Sequence, residues 1–328
     1  MSPFRWGFFV AVAAISLPAS AQQITAPAQQ TSTSARQMST SALLSQQLDQ
    51  QVASLKVKGG LLDVINAIED QTSVRIEASQ AVYDDLPWGQ DTSMSVDVKN
   101  TTLRQVVDSI AEHLGLTATL GDQAVILEPD PALRRLGRRA TLDEIQMLDL
   151  LSSTPYPTAI GKQTVAQILH EVDKTLASAK SDFAVQPQGL DSQSTLMLEV
   201  PRNATLMDAL NLLSDQTSAT WYPWGRSVVV VPKIEATHML LSKRISLRFS
   251  QTPLEQVLLD LAEQSGTTFQ MAPGVLQQVP PQFAKVTLVL DDATIDQALQ
   301  SISGATGLKF TPIADGISVT FPPPATQP

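Results

Sequence analysis

The sequence predicts an α+β chain of three tandem small domains in βαβ–βαββ order, with helices packed on small mixed sheets. Three observations predict it. Six stretches carry apolar residues at i, i+3, i+4 and i+7, the spacing of a helix with one buried face. These stretches fall into pairs with nearly equal internal steps. Around them run short segments in which apolar and polar residues alternate, as in a strand with one buried face.

The six helical sets begin with Leu61, Val64, Ile65 and Ile68, then Leu103, Val106, Val107 and Ile110. Val165, Ile168, Leu169 and Val172 follow, then Leu206, Ala209, Leu210 and Leu213. The last two are Leu254, Val257, Leu258 and Leu261, and Ile295, Ala298, Leu299 and Ile302. From first member to first member the steps are 42 (61 to 103), 41 (165 to 206) and 41 (254 to 295). Self-similarity at a fixed period marks an architecture. The third set runs on through DKTLASAK and makes the middle unit the least regular. Asn100, Asn203 and Asp292 stand just before their helices, with Thr102, Thr205 and Thr294 close behind. Such side chains accept hydrogen bonds from free first-turn N–H groups, and Asp292 is the expected cap of the last helix. Gly115, Gly266 and Gly307 follow helices, where a left-handed residue ends one.

Strands are predicted in SMSVDV, TLMLEV, RISLRF and KVTLVL. Short strands TATL, TWYP and KFTP follow the second helix of each unit. Turns at Gly121-Asp122, Trp224-Gly225 and Asp315-Gly316 lead to closing strands AVILEP, SVVVVP and ISVTFP. Each closing strand stops at a proline, Pro129, Pro232 or Pro322, which suits a strand end. The domain boundaries are 52–130, 155–234 and 242–323. Residues 131–154 read as an arginine-rich linker with a short helix, because Thr141 to Glu144 has capping-box spacing.

The ends are different. Arg5, an apolar run from Trp6 to Leu17 and Ala19-Ser20-Ala21 form a secretory signal peptide over 1–21, with cleavage expected after Ala21. That run is shorter than the ~18–20 residues a spanning helix needs. Residues 22–51 are rich in Gln, Ser and Thr and read as a disordered tether, with a helical turn near Ser41 to Gln50. Residues 324–328 are a tail. A formal charge of −10 argues against non-specific nucleic-acid binding. The absence of cysteine excludes disulfides, thiolate metal sites and a lipoprotein anchor.

The strand, then Asn/Asp-x-Thr-Leu-x-x-Ala/Val-Leu, then Gly and an aromatic, resembles the short N-terminal (STN) domain shared by secretins and TonB-dependent signalling receptors. VKNTTLRQVVDSIAEHLGLTATL, VPRNATLMDALNLLSDQTSATWYP and LDDATIDQALQSISGATGLKFTP carry the resemblance. It implies periplasmic, non-enzymatic domains that pack side by side or meet another envelope protein. No pore-forming β-region follows within the 328 residues, so the expectation is secretin N-domain-like repeats on a tether, without the channel. The partners implied are a secretin-like or inner-membrane assembly component, with self-association a further option.

Candidate site residues are few. His113, His170 and His238 lack the pair spacing of a zinc site, and His113 is expected at an exposed helix end. Asp84-Asp85 and Asp291-Asp292 are adjacent carboxylates that point apart and read as solvated turns. General acid–base work needs carboxylates that converge on one substrate. No catalytic residue, metal or cofactor is therefore expected. Trp88 and Trp224, each in Pro-Trp-Gly, are candidate partner contacts, or else turn residues folded back on their own domain. Arg134, Arg135, Arg138 and Arg139 are candidate contacts for an acidic partner or lipid headgroup, or else a solvated linker. The leading expectation is a periplasmic interaction or assembly module. The alternative is a sensor that binds a small ligand in a deep apolar pocket lined by Trp88 or Trp224.

Overall fold

The computed structural model describes residues 40–157, 161–180 and 182–322. The leader with its cleavage site, the tether as far as residue 39 and the tail at 324–328 lie outside the described residues. Residues 40–51, assigned above to the tether, are ordered instead. They form α1 (Thr40–Leu48) and the start of β1 (Gln51–Gly60). Leu44 and Leu48, four apart on one face, are buried, and Arg104 holds the helix through Asp49 Oδ1 and Ser45 Oγ, both at 3.0 Å. Two well-placed leucines outweigh a composition of Gln and Ser.

After β1 come α2 (Leu61–Thr72), β2 (Ile76–Ala78), the short α3 (Gln80–Asp85), β3 (Ser93–Thr102), α4 (Leu103–Leu114), β4 (Leu116–Leu120) and β5 (Val125–Pro129). Two helices follow, α5 (Pro131–Arg134) and α6 (Leu142–Ser153). The middle repeat is β6 (Gln163–Thr164), α7 (Val165–Ala179), β7 (Ala184–Pro187), β8 (Met197–Leu198), α8 (Leu206–Gln216), β9 (Ala219–Trp224) and β10 (Ser227–Pro232). After α9 (Lys233–Leu241), the last repeat is β11 (Arg244–Pro253), α10 (Leu254–Ser265), β12 (Phe269–Met271), β13 (Lys285–Thr294), α11 (Ile295–Thr306), β14 (Lys309–Ile313) and β15 (Gly316–Thr320).

The chain is α+β with small mixed sheets, and one set of pairings recurs. The first and third strands of each repeat form an antiparallel ribbon: β1 with β3, β6 with β8, β11 with β13. The last strand is central in a three-stranded sheet, parallel to the second and antiparallel to the fourth: β5 between β2 and β4, β10 between β7 and β9, β15 between β12 and β14. The predicted helical faces are the buried ones, with Leu103, Val106, Val107 and Ile110 of α4 typical. Full burial of each such side chain contributes about 1.5–3 kcal/mol.

Three local expectations need correction. The helix caps are Thr102, Thr205 and Thr294, whose side chains accept from the N–H three residues on. Asn100, Asn203 and Asp292 do another task. They sit at φ 50°, 64° and 50°, in the left-handed region that Asn and Asp enter at least cost among residues with a Cβ. The strand expected over TLMLEV shrinks to Met197–Leu198. Ser194 and Leu196 instead offer carbonyls to the Ala166 and Val165 N–H groups at the start of α7, and Pro201 has no N–H for a ladder.

The third correction concerns residues 131–154. They are core, not linker. Ala132, Leu133, Met147, Leu148 and Leu151 are fully buried, and α6 packs between α4 and α8. One buried cluster therefore runs from Leu44 to Ala236 through the first two repeats, and a second runs from Leu241 to Val319 in the third. α9 joins the two, and the sequence patterns did not reveal it. Among the described residues no helix is long and apolar enough to cross a membrane.

Candidate functional site

The arginine segment is built from its caps upward. Asp130 Oδ1 accepts the Ala132 N–H at 2.7 Å, and Pro131 opens α5. Burial pushes the Asp130 carboxyl above its usual range, against the pull of the Ala132 N–H and Arg135. Arg135 turns inward, and its Nη1 donates to the Trp221 carbonyl at 3.0 Å behind β9. Burial lowers its pKa, against the opposing charges of Asp130 and Asp215. The Arg134 Nε is buried without a hydrogen-bond partner, beside Gly266 of the third repeat. Both side chains are half-buried, and Arg135 is the one tied to a carbonyl.

Arg138 and Arg139 reach the surface. Arg138 forms a fork on Glu144, Nη2 to Oε1 at 2.7 Å and Nη1 to Oε2 at 3.0 Å. The Glu144 side chain is 0% exposed and also accepts the N–H groups of Gly225 and Thr141, both at 2.7 Å. Burial alone would raise its pKa. Arg138 and the two N–H groups outweigh that and hold it below the usual range. The predicted Thr141–Glu144 capping box is formed, and the same carboxylate ties α6 to the β9–β10 turn.

The Arg138 guanidinium lies 4.3 Å over the Trp224 ring, and Trp224 meets Tyr222 edge-on. Trp224 remains 46% exposed. Arg139 Nη1 donates to the Leu86 carbonyl at 3.1 Å and lies beside Gly89. The neighbouring Trp88 is 53% exposed, with its N–H on Thr92 Oγ1. The structure thus joins Arg138 to Trp224 and Arg139 to the Trp88–Gly89 turn, while Arg134 and Arg135 are half-buried. The solvated-linker reading needs correction, because Arg135, Arg138 and Arg139 each hold protein partners.

An open groove of about 680 Å³ runs where the three repeats meet, past Trp224, Arg138, Arg139, Lys243, Arg244 and Asp85. Its polar and apolar linings are comparable, so it is not a deep apolar pocket. Arg138 is matched by Glu144 and Arg244 by Asp292, and Asp84 and Asp85 stand against Arg139 and Lys243, so the groove lacks the excess positive charge that would attract anionic lipid. Asp85 is not a solvated turn. It is only 5% exposed at the end of α3, and desolvation pushes its carboxyl up to about 6, against Lys243, Arg134 and Arg139 and with the help of Asp84. Asp291 and Asp292 are exposed as expected.

The ribbons make a second surface. β1–β3 and β11–β13 each pair strands of ten residues, and among the described residues none of the four strands is hydrogen-bonded to a third. Each outer edge of β1–β3 is about 33 Å long at ~3.3 Å per residue, while the β11–β13 ladder is interrupted by two register shifts, between Ile245 and Leu247 and between Phe249 and Thr252. His113 is exposed and pairs with Asp149 of α6. Among the described residues no group of three or more His, Asp or Glu is placed to hold a metal ion. No family model matches the chain, and no match was found among curated proteins or solved structures.

Proposed function

We propose that this chain is a non-enzymatic periplasmic protein–protein interaction and assembly module, an accessory to a secretin-type secretion or type IV pilus-like envelope machine. It reaches the outer membrane through a partner. The observation that carries the reading is recurrence: one strand–helix unit is written three times, and two of its ribbons hold out long edges that meet no other strand among the described residues. Unpaired edges accept an added strand, and broad helix faces accept a neighbour. Several weak contacts on one chain gain strength through effective concentration. The order of elements in each repeat supports the resemblance to STN and secretin N-domains. Arg5 and Ala19-Ser20-Ala21 support export.

Crosslinking and pull-down from envelope fractions test the reading. Recovery of a secretin-like or inner-membrane assembly component is expected, and reproducible recovery of neither removes it. A second reading, a sensor module that relays a bound ligand to a transmembrane regulator, lacks the deep apolar pocket it called for and would have to use the open groove beside Trp224. A ligand that changes Trp224 fluorescence in the native chain but not in Trp224→Phe would select that reading.

A further inference from the structure

The four long ribbon strands share a length and differ in what their exposed faces carry. β1 sets Lys56 and Lys58 there, and β11 sets Arg244 and Arg248. A second copy laid antiparallel about either pair would put like charges opposite each other, a common guard on a strand edge. On β3, Asp97 is already held by Lys56 at 2.8 Å.

β13 differs. Its exposed face reads Lys285, Thr287, Val289 and Asp291. Reversed, the same face reads acid, apolar, hydroxyl, base. Two copies of β13 laid antiparallel about a two-fold axis at Leu288 therefore set Lys285 opposite Asp291 of the second copy, and Thr287 opposite its Val289. The inner face matches too, with Val286 opposite Leu290 and Leu288 opposite itself. Val286 and Leu288 are half-buried against the cluster of the third repeat.

The edge is open to such a strand. Outside the ladder with β11, no described backbone group bonds the main chain of residues 285–291. The run from Lys285 to Leu290 is unbroken. One register shift puts its extra residue in β11, where Gln251 lies at φ 52°, and the other follows Leu290, with Asp292 at φ 50°. Val289 is 62% exposed, more than any other large apolar side chain among the described residues. Lys285 and Asp291 are exposed, and neither holds an ion pair among the described residues.

We propose that two copies of this chain pair β13 with β13 in antiparallel register about Leu288, joining two ribbons into one sheet in the order β11–β13–β13–β11. The strand names its own occupant, because its exposed face is complementary to its own reversal. Opposite charges and apolar neighbours across paired strands add stability, and the two-fold axis uses each contact twice. Such a contact closes on itself, so assembly stops at the dimer. One strand from each copy makes a small interface, so the dimer is weak and depends on concentration. The proposal rests on the interaction-module reading only in giving the free edge to a protein strand.

Sedimentation velocity of the full chain over a concentration series tests it, and a reversible monomer–dimer equilibrium is expected. Val289→Lys should weaken the dimer by about tenfold, with an unchanged melting temperature because the side chain is exposed. Lys285→Asp alone and Asp291→Lys alone should each weaken it severalfold, since each puts like charges opposite. The double variant restores opposite charges and should dimerise as the native chain does. A monomer at every concentration, a dimer indifferent to Val289→Lys, a double variant that does not recover, or growth beyond the dimer overturns the proposal. An envelope partner recovered by a strictly monomeric chain sinks the dimer and leaves the assembly reading standing. A β13 dimer without an envelope partner does the reverse.

Discussion

The outer ribbons and the middle one hold the same place in the repeat, yet β1–β3 and β11–β13 pair ten-residue strands while β6–β8 pairs two residues. The burial of the long strands explains how the middle repeat survives the loss. β1 buries only Leu55, β3 only Val96, β13 only Leu290, and β11 buries Ile245 and Phe249. A long ribbon therefore adds little core per residue. The cores are built from helix faces and the three-stranded sheets, and the middle repeat gains further cover from α6. Ribbon length beyond those few anchors is surface, and it can vary without unfolding its repeat.

The comparison is broken hardest by removing the carboxylate that ties α6 to the middle repeat. Glu144→Ala leaves the half-exposed Arg138 and two N–H groups without their acceptor, and a loss of about 2–4 kcal/mol is expected in urea unfolding followed by Trp221 fluorescence. The counterpart in the third repeat is Gly316→Ala. A Cβ there would lie 2.2 Å from the Thr268 carbonyl oxygen, at φ 136°. About 2–4 kcal/mol should be lost from the third repeat, with the Trp221 transition unmoved.

Asp85 gives a smaller effect with a defined sign. Its carboxyl is raised to about 6 in the folded chain, above the 3.8 expected when unfolded. Between those values the folded chain holds a proton that the unfolded chain releases. Stability therefore falls as pH rises through that window, by on the order of 2–3 kcal/mol, and is level above it. Asp85→Asn should flatten the melting temperature across pH 4–6 and raise it at pH 7. Glu144 slopes the other way, because its lowered pKa contributes stability that is lost on acidification. The smallest effect is at Asn203, φ 64°, where Val should cost about 1–2 kcal/mol in thermal melts and Gly close to nothing.

The helices and their glycine ends were legible because both signals are local. Leu103 to Ile110 lie on one face in any setting, and Gly115 needs only its own φ of 65°. α1 and α9 were not legible as docked elements. α1 offers two buried leucines among Gln and Ser, and α9 buries Ala236, Thr237, Leu240 and Leu241 around more than one side. The capping box announced α6, but its burial depends on α4 and α8 arriving from elsewhere. The site was least legible. Arg135 meets Trp221 across 86 residues, and Glu144 meets Gly225 across 81. Four arginines in one segment read as solvated until those distant partners are placed.

The two buried clusters also decide how the chain responds to heat. Lys233 to Asp315 at 3.0 Å and Thr237 Oγ1 to the Ile313 carbonyl at 3.1 Å are polar links between α9 and the third repeat, and they substitute for a shared apolar interior. Calorimetry should resolve two endotherms. The larger spans both halves fused around α6, and the smaller belongs to the C-terminal unit, shifting with salt as the Lys233–Asp315 link is screened.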